Sequence, residues 1–458
     1  KRRVSPAAQS KRNRLHLHLT DDQGWRIAID DPADNPSGIA YGLLTRVGGA
    51  TAMTERGTEP ATTGFYTKAD YREIVRFAGE NGMTVVPEID LPAHTNSALH
   101  SIPQLNTPGA RPALQPGQTT VPHNGTGAVG YSSLDAAAAV TYEFTRHVLT
   151  EIAALTPGPY LHIGGDEAHV TSHADYTKMV EAFSGQVADL GKTVVGWNEY
   201  AGSALPKDRA VVQYWNGDRA RVAAAVNDRG AQVILSPAST TYLPQKQDSR
   251  QPQGGLWACG TPCGLDRHYQ WDPGAYIPGI QESSVLGVES ALWGEFIRKP
   301  RQAEYYAYPR LLASAEAGWT PQARRDFGEF KERLADAGDR LAVQGVNFFP
   351  TADVPWRVAA RGDDVKARVG EPVKPGWTVI APGADGVSAT VRWSDGQEQD
   401  VTPVTSRAGS IPDMWLNGPY TAAAERTFST PGTYTATLTV TVPGRDPVES
   451  ALTVKIDS

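Results

Sequence analysis

The run Tyr160-Leu-His-Ile-Gly-Gly-Asp-Glu167 sets two adjacent carboxylates behind a short apolar stretch and two glycines. Neighbouring residues at the end of a strand point in different directions, so one acid can meet a leaving oxygen while the other meets a second group on the same molecule. General acid/base cleavage with electrostatic support needs that division of labour. The same dipeptide also occurs as a solvated pair capping a helix, and its surroundings decide between the readings. Three tryptophans follow later β-branched runs: Trp197 in Val195-Gly-Trp-Asn-Glu199, Trp215 in Gln213-Tyr-Trp215 and Trp293 in Leu292-Trp-Gly-Glu295. A single strand-end Trp is most simply core packing. Three at successive strand ends form a rigid apolar wall suited to the face of a sugar ring.

The elements that must carry these residues are legible from periodicity. Through residue 355, short β-branched runs alternate with longer helix-periodic ones, the pattern of βα units around a parallel sheet. Strands are predicted at 14–19, 84–89, 160–163, 193–197, 211–214, 232–236 and 285–292. Between them Tyr71, Ile74, Val75 and Ala78 fall at i, i+3, i+4 and i+7, and Val140, Phe144, Val148 and Ile152 recur every fourth residue behind a cap expected at Ser133. Seven strands are one short of an α/β (β/α)8 TIM-type barrel whose first strand is missing, a fold that places chemistry on the loops after its strands. The Pro-, Gly- and Thr-rich loop at 101–132 is expected to lie over that face as a lid. After Trp356 the pattern becomes strict alternation, as in Tyr434, Ala436, Leu438, Val440 and Val442 with Thr at every position between. Half-buried strands read this way. The expected organisation is a catalytic barrel over 1–355, N-terminally incomplete, and an immunoglobulin-like or PKD-like β-sandwich over 356–458.

Composition narrows the partners. The 458 residues carry 43 Lys and Arg against 50 Asp and Glu, net −7, with 40% hydrophobic residues. Neither a nucleic-acid footprint nor a disordered chain has that balance, and a neutral substrate suits it. No stretch approaches the roughly 18–20 apolar residues of a membrane span, and the basic start Lys1-Arg2-Arg3 is not followed by an apolar segment, so no membrane partner is expected. Cys259 and Cys263 are either a small local disulfide of an exported protein or two free thiols. Two ligands do not make a zinc site.

Three long motifs occur in order: Leu15-His-Leu-His-Leu-Thr-Asp-Asp-Gln-Gly-Trp-Arg26, Val86-Pro-Glu-Ile-Asp-Leu-Pro-Ala-His94, with Ala93 where Gly is usual, and His162-Ile-Gly-Gly-Asp-Glu167. Together they resemble the signature of glycoside hydrolase family 20 β-N-acetylhexosaminidases, over residues 11 to about 355. The resemblance implies retaining exo-hydrolysis of terminal β-linked GlcNAc or GalNAc, in which the substrate's own 2-acetamido group replaces an enzyme nucleophile and gives an oxazolinium. It makes Glu167 the general acid/base, titrating high, and Asp166 the partner of the acetamide N–H, titrating low. Asp21 and His94 form a relay behind the acid/base, and Tyr242 donates to the acetamide oxygen. Trp197, Trp215 and Trp293 enclose the sugar, Glu295 holds sugar hydroxyls and Trp257 reaches an outer hydroxyl. His16 and His18 are structural and face the barrel interior. No cofactor or metal is implied. The partners are oligosaccharides or glycoconjugates ending in N-acetylhexosamine, and the location is extracellular.

Two departures stand against the resemblance. Pro244 occupies the position, two after Tyr242, where an Asp contacting a sugar hydroxyl is usual, leaving Asp248 as a substitute only if the loop is rebuilt. Residues 1–10 match neither the usual arginine-bearing first strand nor the small domain before it, so weak activity of this chain alone is expected. Among rival readings, His16-x-His18 after a leading strand is shared with metal-dependent amidohydrolase barrels, but those carry further ligands where this chain has Trp and Glu. A non-catalytic sugar-binding homologue is a second rival. Family 18 chitinases need an Asp-x-x-Asp-x-Asp-x-Glu strand that is missing from the sequence.

Overall fold

The computed structural model describes residues 11–56, 61–384, 386–405 and 420–458. Residues 1–10, on which the expectation of a missing first strand falls, lie outside them. Two compact units divide the chain, one of residues 1–244, 267–298 and 314–322, the other of 245–266, 299–313 and 323–458.

In the first unit seven strands form one parallel sheet in sequence order: β1 Arg14–His18, β2 Thr84–Glu88, β3 Tyr160–His162, β4 Thr193–Trp197, β5 Ala210–Tyr214, β6 Gln232–Leu235 and β7 Val285–Val288. The sheet curls until its ends meet through side chains. The Arg12 guanidinium donates to Val288 O at 3.0 Å and Ser290 Oγ at 3.3 Å, and His16 Nδ1 lies 2.9 Å from Glu289 Oε1. This is the curled α/β architecture of a TIM-type barrel. The last strand is shorter than the predicted 285–292. A register shift at Val233/Ile234 offsets its pairing, and beyond Val288 the chain is tied by the Glu289 N–H donating to Leu235 O at 3.0 Å and the Leu243 N–H donating to Ala291 O at 2.9 Å, outside any strand.

Helices cover the sheet because each offers one apolar stripe. Helix α1, Lys68–Glu80, opens with a Thr67/Asp70 capping box and buries Tyr71 and Ala78. Helix α2, Ala139–Leu155, buries Phe144, Val148 and Ile152, each contributing roughly 1.5–3 kcal/mol relative to exposure. Ser133 is not its cap. It sits instead in an antiparallel bridge with Arg111, and the Asp135 carboxylate accepts from the Ala137 N–H at 2.8 Å before the helix begins. Helix α3, His173–Asp189, is capped by Ser172, and α4, Arg219–Arg229, runs from an Asp218 cap to Gly230 in the left-handed region.

The loop at 101–132 is a packed structure. Asn106 accepts from the Val121 N–H at 3.2 Å, His100 Nδ1 meets Val121 O at 2.7 Å, and Leu105, Ala110 and Val121 are buried. Its far end reaches the loop that carries Asp166 and Glu167, since a Cβ on Gly130 would fall 2.7 Å from Glu167 O.

The second unit contains two antiparallel-dominated sheets. One takes strands β8 Ala359–Gly362, β10 Gly376–Ile380, β13 Val404–Thr405 and β14 Tyr420–Ala423; the other takes β9 Val365–Arg368, β11 Ser388–Trp393, β12 Glu398–Val401, β15 Gly432–Thr441 and β16 Val448–Asp457. The alternation read from sequence is realised in β15 and β16, whose Ala436, Leu438, Val440, Leu452, Val454 and Ile456 join Trp377 and Val379 of the other sheet in one core. Outward threonines complete the period of two.

Candidate active site

Alternation on β1 to β3 points charged residues into the barrel. Register sets His18 beside Glu88 and Glu88 beside His162, so a row of ionisable groups crosses three strands at their carboxyl ends. Above it the chain after β3 turns through Gly164 (φ 68°) and Gly165 (φ 101°). A Cβ on Gly164 would stand 1.7 Å from Asp90 Oδ1, which itself accepts from the Gly165 N–H at 3.3 Å. The Tyr176 hydroxyl donates to Gly165 O at 2.6 Å and the Trp197 N–H donates to Gly164 O at 2.8 Å. Thus the two glycines allow β2, β4 and α3 to close on the turn that presents Asp166 and Glu167. Glu167 (φ 48°) and His94 (φ 54°) are both held in the left-handed region, a strain of order 1–3 kcal/mol that the surrounding contacts must sustain.

The two carboxylates converge on one imidazole. His94 Nε2 is 3.4 Å from Asp166 Oδ2 and 3.4 Å from Glu167 Oε2, while its Nδ1 is 2.9 Å from Asp21 Oδ1. Burial alone would lower the His94 pKa, but Asp166, Asp21 and Asp90 raise it well above the ordinary histidine range. Asp21 is held low against its burial by His94 and His18. Asp166 does not titrate low as expected. Burial lifts it to about 6, helped by the charges of Glu88 and Glu167 and opposed by His94. The physical reason is desolvation in a pocket where like charges outnumber the imidazolium. Asp90 is pushed well above the carboxylate range by burial and by Asp166.

The aromatic wall is continuous. Ring centroids are 5.9 Å apart for Trp197 and Trp293, 5.8 Å for Trp293 and Tyr242, and 6.3 Å for Tyr242 and the nearly parallel Trp215. Two of these indoles are aimed by carboxylates: Trp197 Nε1 donates to Glu88 Oε1 at 2.9 Å and Trp215 Nε1 to Glu199 Oε1 at 3.1 Å. The Tyr242 hydroxyl is raised by burial and next by the charge of Asp166, which keeps it neutral. Glu295 is also raised by burial and lies 3.8 Å from Arg56 Nη1. Asp166, Glu167, Asp21, His94, Tyr242, Trp197, Trp215, Trp293 and Glu295 therefore all belong to the first unit, whereas Trp257, 54% exposed, belongs to the second. Asp248, also in the second unit, is engaged by Arg250, with Arg250 Nε 3.0 Å from Asp248 Oδ2.

Reading the sequence left Glu88, Asp90, Asp22, Glu199 and Glu289 without roles. Two of them carried a signal, since Glu88 and Asp90 are charges at i and i+2 of a strand flanked by apolar residues, which puts both on the inward face. Asp22 accepts from the Asn96 N–H at 2.9 Å and the Ser132 hydroxyl at 2.5 Å, tying the loop after β1 to the two loops beside it. Glu199 is raised to about 7 by burial and by Asp166, and lines, with Glu167, Tyr176 and Arg221, a cleft of about 430 Å3. Several of these side chains, such as His16, Glu88 and His162, bring potential ligand atoms within 4.8 Å of one another. Glu88 is already engaged there by the Trp197 indole and by His18, and His162 Nδ1 accepts from the Gly164 N–H at 2.9 Å. The imidazole pair of His16 and His18 thus faces carboxylates in the manner of an ion-paired core.

A curled parallel sheet that carries paired acids and an indole wall at the carboxyl ends of its strands defines a barrel glycoside hydrolase. Comparison with known proteins agrees. The catalytic-domain pattern of glycosyl hydrolase family 20 matches residues 1–322. The chain is 39% identical over 351 residues to a β-N-acetylhexosaminidase of Cellulomonas fimi, covering 76% of this chain and 65% of that protein. It is similar to the solved family 20 β-N-acetylhexosaminidase of Streptomyces coelicolor A3(2) at 42% identity and a TM-score of 0.69, over 78% of this chain and 68% of that one. A mutant Streptomyces plicatus β-hexosaminidase in complex with the product GlcNAc matches at 43% identity and a TM-score of 0.69, over 78% and 67%. The chain belongs to glycosyl hydrolase family 20. It spans 65% or less of the length of the first three curated relatives it matches.

Proposed function

We propose that the protein releases terminal β-linked N-acetylhexosamine from oligosaccharides or glycoconjugates, with retention, through an oxazolinium formed by the substrate's own acetamide. The carrying observation is that Asp166 and Glu167 share one imidazole nitrogen, and that Asp166, ahead of Glu199 and Glu167, is the carboxylate that acts most strongly on the Tyr242 hydroxyl of the aromatic wall. In this reading Tyr242 and Asp166 grip the two ends of the acetamide dipole, O and N–H, and press its oxygen beneath C1. An internal nucleophile held in this way reacts with a high effective molarity, so no enzyme nucleophile is needed. Asp166, ionised, stabilises the cationic ring that forms. Glu167 donates its proton to the leaving oxygen beside the cleft that it lines and then takes one from water. Trp197, Trp215 and Trp293 exclude water from the cation, and Glu295 accepts from sugar hydroxyls. The Cys259–Cys263 disulfide supports an exported protein. The test is hydrolysis of a panel of nitrophenyl glycosides together with binding of a thiazoline mimic of the oxazolinium. Turnover confined to N-acetylhexosaminides with tight thiazoline binding is expected. Turnover of glucosides lacking the acetamide, or indifference to the thiazoline, would remove the acetamide from the mechanism.

A further inference from the structure

Asp21, behind His94, is gripped from its other side by His18, and this second imidazole has no role in the chemistry described above. We propose that His18 and Glu88 are positioning residues for the acid/base: His18, an imidazolium bridging Glu88 and Asp21, fixes the Asp21 carboxylate and, through it, the face that His94 turns to Glu167. The inference deepens the reading of Glu167 as acid/base and rests on it.

The geometry requires a cation. His18 Nδ1 is 2.6 Å from Glu88 Oε2 and His18 Nε2 is 3.1 Å from Asp21 Oδ2. A neutral imidazole carries one N–H and one lone pair, so one of these contacts would set lone pair against carboxylate; two N–H groups satisfy both. Asp21 is then fixed at both oxygens, since Oδ1 takes His94 Nδ1 at 2.9 Å and the Asp22 N–H at 2.6 Å. A carboxylate so held cannot rotate, and His94 keeps Nε2 toward Asp166 and Glu167. Glu88 is anchored in turn by the Trp197 indole at 2.9 Å, with His16 Nε2 at 3.0 Å. One buried carboxylate thereby joins the sugar wall to the proton relay. The charged groups around His18 are Glu88 from β2, Asp21 from the turn after β1, and, further off, Asp90 and Asp166. His16 and His162 stand across Glu88, and the Trp293 ring meets His18 edge-on at 5.2 Å.

Two near-isosteres separate positioning from mere packing. His18→Asn keeps an amide nitrogen near Nδ1 and so the Glu88 contact but loses Asp21; His18→Gln keeps one near Nε2 and so the Asp21 contact. For each, kcat/KM is measured on an alkyl N-acetylglucosaminide, whose leaving group needs a proton, and on the 2,4-dinitrophenyl glycoside, whose leaving group does not. His18→Asn is expected to lower the alkyl-to-dinitrophenyl ratio about 10- to 100-fold. It should also move the basic limb of the pH profile up on the order of half a unit, because a positive charge behind Glu167 is gone. His18→Gln should keep the ratio within about threefold. Equal losses on both substrates with an unmoved basic limb would overturn the proposal and leave the function above standing. A wild type that turns over no N-acetylhexosaminide would instead overturn the functional reading. Histidine-labelled 15N NMR of the wild type, assigned by the signal lost in His18→Gln, reads the charge state whatever the activity or the fold of His18→Asn. Two nitrogen-bound protons on His18 persisting above pH 8 are expected, and a single-N–H tautomer titrating near neutrality would overturn the bridge.

Discussion

Replacing Asp166 with Asn should make the protein both slower and more stable at alkaline pH, and the two effects share one cause. The Asp166 side chain is 15% exposed, and burial beside Glu88 and Glu167 outweighs the nearby His94, raising its pKa from 3.8 to about 6. A folded-state pKa above the unfolded one means that the native protein binds the proton more tightly. The associated stability is complete below about pH 4 and is lost as pH rises through about 6. At about 1.4 kcal/mol per pH unit the ionised carboxylate costs the fold about 3 kcal/mol at pH 8, and water entering the open pocket reduces this toward 1–2. Asn removes the cost, so its melting temperature should exceed that of the wild type by a few degrees at pH 8, with the difference shrinking to about a third of that at pH 4.5 and vanishing below about pH 4. Catalysis moves the other way. The anion acts on charge that exists only near the oxazolinium, so kcat should fall about 100- to 1000-fold while KM changes little. The wild-type acid limb near pH 6 should disappear with it. Paired melting curves at pH 4.5 and 8, with kcat and KM on a nitrophenyl N-acetylglucosaminide, form the assay. A variant that melts lower than wild type at pH 8, or that keeps an acid limb near 6, would refute the assignment of a strained, functional anion to Asp166.

Glu167→Gln should abolish cleavage of poor leaving groups and largely spare activated aryl ones, without rescue by azide, because a proton and not a nucleophile has been lost; equal loss on both classes counts against the acid role. Gly164→Ala puts a Cβ 1.7 Å from Asp90 Oδ1 at a residue with φ 68°, so a loss of about 2–4 kcal/mol by denaturant unfolding, with activity near background, is expected. Trp197→Phe strips Glu88 of its 2.9 Å indole donor and should cost about 1–3 kcal/mol in stability and about tenfold in kcat/KM. Replacing Cys259 and Cys263 together by Ser opens a loop with a sequence separation of only 4, and the melting curve should register about 2 kcal/mol.

Sequence periodicity located the barrel strands to within a residue or two for six of the seven, because β-branched residues buried on both faces leave little else for those segments to become. The exception, β7, stops at Val288 because its pairing partner β6 ends opposite it at Leu235, a property of two strands together that neither segment states alone. Ser133 failed as a helix cap for a similar reason: its backbone is claimed by Arg111, far off in the chain. That Asp166, Glu167, His94, Asp21 and the indoles would come together was legible because motifs fix their order and strand ends fix their place. The roles of Glu88 and Asp90 were not, although both stood in a quoted motif. A charge inside a strand gains meaning only from what faces it across the sheet, and Glu88 has four such partners from three other strands.

That buried row decides more than it stabilises. Removing carboxylates and imidazoles from water is expensive, and a barrel chosen for stability alone would fill the layer with branched apolar residues. Here the pairs hold one another in set charge states. His16 is raised to about 10 by Glu289 and Glu88 against its burial, Glu88 is held low against its own burial by His18 and His16, and His162 is kept neutral by burial that Glu88 fails to offset. Each group has a partner, so the layer tolerates the loss of none singly, yet its outward bonds run to the Trp197 indole and to Asp21. The indole wall and the Asp21–His94 pair are therefore aimed by the same interior carboxylate. Because Glu88 sits in register between His18 and His162, a slip of one residue between β1, β2 and β3 would turn the whole row outward and disarm the site above it.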